Sequence, residues 1–202
     1  DTEMQRMVQD TLANWDEYPK LQNENAATRV TTTSDGTEIV EPEPQAAAVV
    51  IDYKTGELRA IVGGREAPQV LRGWNRAYQS ETEVGSSIKP LTVYGPALDP
   101  ASAVANLPQA IEGWDTEKGY PSIGSEKYIG IISLRRGIVS SLNVAAARVL
   151  MENVTTQAAA QYLVNLGVDS SRVSATGSGL ALGTTGITPI EMAAAYGAIG
   201  NM

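Results

Sequence analysis

Gly85-Ser86-Ser87-Ile88-Lys89-Pro90 is the stretch on which the reading of this chain turns, and Ser141-Leu142-Asn143, further along, is its companion. The sequence has no histidine and no cysteine. A Ser-His-Asp triad, a Cys-His pair and the usual zinc sites are therefore excluded together. The nucleophilic chemistry that remains is a hydroxyl activated by an amine or a carboxylate.

The spacing selects the serine. On a helix, residues three apart share a face and residues two apart do not, so Ser86 can reach Lys89 while Ser87 points elsewhere. A neutral Lys89, desolvated in a cleft, can take the proton of Ser86 as it attacks a carbonyl. Gly85 lets the backbone approach closely at the helix entrance. Pro90 does not suit a helix interior, which predicts a distorted or early turn there. The same letters also fit a plain surface helix start, so the motif needs support from the rest of the chain.

Working outward, the chain of 202 residues suffices for one ordinary domain with a real core. An apolar content of 43% suits a globular fold. No apolar run reaches the length of a membrane span, and no basic-then-apolar leader is present in the sequence. The net charge of -8 argues against a nucleic-acid partner. Neither a metal nor a cofactor is expected.

Residues 1–15 read as a helix capped by Asp1 or Thr2, with Met4, Met7, Val8, Leu12 and Trp15 at helical spacing. Residues 16–44 are polar, acidic and Pro-bearing, a connector with a hairpin signal at Ser34-Asp35-Gly36. Ala46–Asp52 and Leu58–Val62 read as two strands joined by Lys54-Thr55-Gly56. Helices are predicted over Ser86 to about Leu98, Leu134–Met151, Thr156–Leu166 and Pro189–Ile199, with glycines at 130, 167 and 177–179 as punctuation. The domains expected are thus 1–44, an N-terminal helix and connector, and 45–202, an α+β body with a hairpin beside a helical cluster. A lone hairpin is a marginal sheet unless other strands extend it.

Five segments, in order, carry a family resemblance. They are IDYKTGELRAIVGGR (51–65), WNRAYQ (74–79), GSSIKP (85–90), LRRGIVSSLNVAAARV (134–149) and LALGTTGITPIEMAAAYGAIGN (180–201). Together they resemble the transpeptidase domain of class A, or bimodular, penicillin-binding proteins, over most of residues 1–15 and 45–201. The resemblance implies the fold shared by these transpeptidases and the serine β-lactamases. Here that fold would be incomplete, consisting of the opening hairpin of the sheet and the helical cluster. It implies a peptidoglycan D,D-transpeptidase, a cell-wall enzyme and a target of β-lactams. Ser86 would be the acylated nucleophile and Lys89 its base. Ser141 would relay the proton to the departing D-alanine, and Asn143 would bind the substrate amide backbone. The Ser86 N–H would supply half of an oxyanion hole. The implied partners are peptidoglycan stem peptides and β-lactam antibiotics. The implied parent is anchored on the extracytoplasmic face of a bacterial membrane, with a glycosyltransferase domain upstream.

The chain departs from the family pattern. Nothing after Asn143 fits the third motif, Lys-Thr/Ser-Gly on a strand, and Lys54-Thr55-Gly56 precedes Ser86 and falls in a hairpin turn. A chain lacking that motif is expected to acylate poorly. Val84, Ile88 and Thr82-Glu83 replace residues common in the family. Glu81, Glu83, Arg135 and Arg136 read as solvated charges. Trp74, Trp114 and Tyr120 line a groove or, more in keeping with their type, pack a core or its rim. A β-lactam sensor, a β-lactamase-like hydrolase and a non-catalytic scaffold fragment stay open as alternatives.

Overall fold

In the computed structural model, which describes residues 1–23, 26–97, 101–122 and 127–201, the alternating segment before Gly63 becomes the predicted hairpin. In chain order the first elements are α1 (Thr2–Asn14), β1 (Thr28–Thr32), β2 (Glu38–Pro42), β3 (Ala48–Ile51), β4 (Leu58–Val62), α2 (Arg76–Gln79) and β5 (Thr82–Glu83). A 3-10 turn over Gly85–Ile88 and a π-helical turn over Pro90–Tyr94 follow. Next come β6 (Ala103–Asn106), β7 (Gly130–Ser133), α3 (Leu134–Val139), α4 (Asn143–Val149) and a π-helical turn over Leu150–Val154. The last are α5 (Thr156–Asn165), α6 (Gly177–Leu182), β8 (Gly186–Ile187) and α7 (Pro189–Gly200). The fold class is α+β, as expected, and the chain divides into two units, residues 1–81 with 188–202 and residues 82–187.

In the first unit, β3 and β4 pair antiparallel with a bulge between Val50 and Ile51. The Lys54-Thr55-Gly56 turn joins them, with Gly56 at φ +76 and its N–H donating to Asp52 O. Asp1 caps α1 by accepting from the Glu3 and Met4 amides. The Gln5 side chain then acts as a short strand against β4: its Nε2 donates to Ile61 O and its Oε1 accepts from Ile61 N–H, both at 2.9 Å. Among the described residues β3 and β4 have no further strand partner. The helix α7 starts with a reciprocal cap between Thr188 and Glu191, with Pro189 at its first position. It packs on β3, and Gly200 leaves room for the Tyr53 ring.

The connector holds the hairpin β1–β2 around Ser34-Asp35-Gly36. It is tied to α2 by Arg76, which donates to both Glu41 carboxylate oxygens at 3.1 and 2.8 Å. That guanidinium, by its hydrogen bond first and its charge second, holds the Glu41 carboxyl below its ordinary value of 4.5. Because the folded value is depressed, this contribution to stability is complete above pH 4.5 and is lost as pH falls through the lowered folded value. The parent is therefore expected to lose stability in that acid range more steeply than Glu41→Gln. Urea midpoints measured across it check this, and superimposable profiles would contradict it.

In the second unit the core includes Ile88, Leu91, Val93, Val144, Ala145–Ala147, Leu150, Leu163, Leu180 and Ala181, all 0% exposed. Each leucine contributes about 2 kcal/mol by burial. The run of alanines in α4 lets α6 and β6 pack close to its axis.

This unit also departs from the sequence reading. Two further strand pairs exist, β6–β7 and β5–β8, both antiparallel between distant segments. The helix expected from Ser86 is a 3-10 turn followed by a π-helical one, and its expected end at Leu98 lies outside the described residues. The helix expected over 134–151 is broken at Ser140–Leu142, where Ser141 takes φ +51. The Gly177–Gly179 stretch, expected as punctuation, opens α6.

Candidate active site

Pro90 shapes the turn that carries Ser86. An α-helix would satisfy the Ser86 carbonyl with the N–H of residue 90, which proline lacks. The Lys89 N–H serves it instead, in the tighter i to i+3 bond. The Gly95 N–H then bonds Pro90 O at 2.9 Å across a π-helical turn. A 3-10 turn eclipses residues three apart, so Ser86 and Lys89 lie on one side of it. Gly85, at φ +57, supplies the left-handed entrance. The two serines differ. Ser87 Oγ donates to Val84 O at 2.6 Å, stitching the turn. Ser86 is exposed, and its Oγ makes no hydrogen bond among the described residues.

Lys89 points inward and is 2% exposed. Its Nζ lies within hydrogen-bond reach of three oxygens: Ser141 O at 2.6 Å, Ser141 Oγ at 3.2 Å and Asn143 Oδ1 at 2.7 Å. The broken helix makes this possible. A continuous helix would use the Ser141 carbonyl internally, whereas the left-handed Ser141 turns it toward Lys89. Asn143, the first residue of α4, is oriented from its other end, its Nδ2 donating to Ser122 O at 3.3 Å. Lys89, Ser141 and Asn143 are thus directly bonded, and Ser86 joins them through the turn it shares with Lys89.

The remaining residues singled out from sequence are dispersed. Arg135 and Arg136 are exposed on α3. Trp114 is 7% exposed and packs against Gly177 in the core, whereas Trp74 is 61% exposed. Tyr120 meets Tyr128 edge to face, with ring centroids 6.3 Å apart. Asn75 caps α2 through its side chain, and Arg76 holds Glu41.

Three supports were not singled out: Ser122, which orients Asn143; Thr92, whose hydroxyl is shared between the Ile88 and Leu180 carbonyls; and Gly183, against the turn that carries Ser86. Only Gly183 left a signal, as the break in Leu182-Gly183-Thr184-Thr185-Gly186.

Comparison with known proteins identifies the family. Residues 46–202 match the model of the penicillin binding protein transpeptidase domain. The chain is 35% identical to penicillin-binding protein 1A of Clostridium botulinum, over 78% of this chain and 20% of that protein. It is 34% identical to penicillin-binding protein 1A of Clostridium acetobutylicum, over 99% of this chain and 25% of that protein. The crystal structure of penicillin-binding protein 1A from Haemophilus influenzae superposes with a TM-score of 0.68 at 30% identity, covering 83% of this chain and 25% of that one. The chain therefore spans a fifth to a quarter of the length of these relatives. A serine and a buried lysine on one tight turn, with Ser141 and Asn143 on that lysine, sit inside the matched region, and the chain belongs to the penicillin-binding protein transpeptidase family.

Proposed function

We propose that the chain carries the acylation centre of a peptidoglycan D,D-transpeptidase. The observation that supports it most is the buried Lys89, hydrogen-bonded to Ser141 and Asn143 and one tight turn from the exposed Ser86. Ser86 Oγ attacks the carbonyl between the two terminal D-alanines of a stem peptide, and its proton passes to a neutral Lys89. A carbon–oxygen bond forms and the carbon–nitrogen bond breaks. Ser141 Oγ, 3.2 Å from Lys89 Nζ, relays the proton to the departing D-alanine amine. The Ser86 N–H, at the start of its turn where helical donors have no partner within the helix, faces the oxyanion. Asn143 binds the peptide backbone of the substrate. The amine of a second stem peptide then attacks the ester, restoring Ser86 and forming the crosslink. A β-lactam takes the first step, opens its ring and remains as the acyl group.

On this reading residues 45–202 form the transpeptidase portion and 1–44 lead into it. The site works on the extracytoplasmic face of a bacterial membrane, where peptidoglycan is the substrate, in a protein that also carries a membrane anchor and a glycosyltransferase domain. Among the described residues no helix is long and apolar enough to cross a membrane.

Intact mass of the protein at its full natural length, followed over time after mixing with penicillin, tests the proposal. A single lasting adduct is expected. Hydrolysis of penicillin with rapid loss of the adduct would point to a β-lactamase-like hydrolase, and no adduct to a scaffold; either contradicts the proposal.

A further inference from the structure

Gly183 closes α6 at φ +76, and its backbone lies directly against that of Gly85. The Gly85 N–H donates to Gly183 O at 3.0 Å. A Cβ on Gly183 would fall 2.0 Å from Gly85 O and 2.5 Å from both Gly85 C and Gly85 N, space that the neighbouring backbone already fills. Two more ties flank this contact. Thr82–Glu83 pairs with Gly186–Ile187 just before the nucleophile turn. Just after it, Thr92 Oγ1, 0% exposed, donates to Leu180 O at 2.5 Å. Residues 180–187 therefore grip the corner before, at and after Ser86, the first two contacts through backbone alone.

We infer that Gly183 is a positioning residue for Ser86: having no side chain, it brings its carbonyl onto Gly85 and fixes the Gly85–Ser86 peptide. That peptide carries the N–H proposed for the oxyanion and sets the path of the Ser86 side chain. The inference rests on the reading of Ser86 as the acylated residue. Neither the Ser-x-x-Lys nor the Ser-x-Asn signature contains Gly183. A misplacement of about 1 Å at a reacting group costs about 10²-fold in rate, and a methyl at 183 forces a displacement on at least that scale.

The test is acylation of the protein at its full natural length by a fluorescent penicillin, with thermal melting as the measure of folding. Gly183→Ala is expected to acylate about 10²-fold more slowly. The loss should fall in the rate constant at saturating penicillin, with the dissociation constant before acylation little changed. Gly167→Ala is the control: it has the same kind of backbone strain, at φ +101, with nothing within 4 Å of an added Cβ, and should react at the parent rate. Thr92→Val removes the Leu180 tie without adding bulk. It should react about tenfold more slowly, the equivalent of one buried hydrogen bond, and Thr92→Ser should recover the rate. The Thr92 pair decides the matter if Gly183→Ala does not fold. Acylation that persists in Ser86→Ala overturns the nucleophile and this inference together. A silent Ser86→Ala, with Gly183→Ala and Thr92→Val at the parent rate, overturns the inference alone. So does an equal loss in Gly167→Ala.

Discussion

Lys89→Met is expected to stop acylation by penicillins while leaving a folded chain. Methionine fills a similar volume but cannot take a proton, and loss of a general base costs roughly 10²–10⁴-fold. The structural cost comes from the partners. Ser141 O, Ser141 Oγ and Asn143 Oδ1 all accept from Lys89 Nζ and lose that donor in the variant. Leaving such groups unmatched costs about 1–3 kcal/mol, so a lower melting temperature should accompany the lost reaction. Lys89→Arg is not a rescue, because its planar fork is larger and stays charged in a site where the native side chain is 2% exposed. Acylation rates with penicillin, set beside melting temperatures, check both effects. A Lys89→Met protein reacting at the parent rate would remove the lysine from the chemistry.

The neighbouring serines should behave in opposite ways. Ser86→Ala removes the proposed nucleophile, a change that costs on the order of 10⁶ in a serine protease. It should abolish the adduct yet leave stability within about 0.5 kcal/mol, because Ser86 is exposed. Ser87→Ala deletes the bond from Oγ to Val84 O. It should keep the adduct and lose about 1 kcal/mol of stability. Denaturant midpoints and adduct yields for the two variants separate these outcomes. The reverse pattern would assign the nucleophile to Ser87.

What was legible in the sequence was local. The cap and stripe of α1, the alternation of β3 and β4, the start of α7 at Pro189 and the Ser-x-x-Lys spacing each depend on residues within a few positions of one another. What was not legible depends on distant partners. The strand β6 is four residues long and pairs with β7, which is distant in the sequence, so neither carries a pattern strong enough to identify it alone. Gly177 and Gly179 weaken a helix in isolation, yet α6 forms because Gly179, Leu180 and Ala181 are buried, and because Ser174 O and the Thr176 and Thr185 hydroxyls leave no space for a side chain at 179.

The site follows the same division. That Ser86 and Lys89 share one turn was readable because the turn is local. The break at Ser140–Leu142 was not, because helical periodicity runs through it from Leu134 to Met151. That break is what turns Ser141 O toward Lys89. Pro90 was readable as a distortion, but the bond from Thr92 to Leu180 just after it was not, because its partner is distant in the sequence.

The most direct measurement is to digest the penicillin-treated protein and locate the modified residue by tandem mass spectrometry. The account predicts a single acyl group on Ser86, with Ser87 and Ser141 unmodified. An acyl group on Ser87, on Ser141 or on any residue outside the Gly85–Pro90 turn would contradict it.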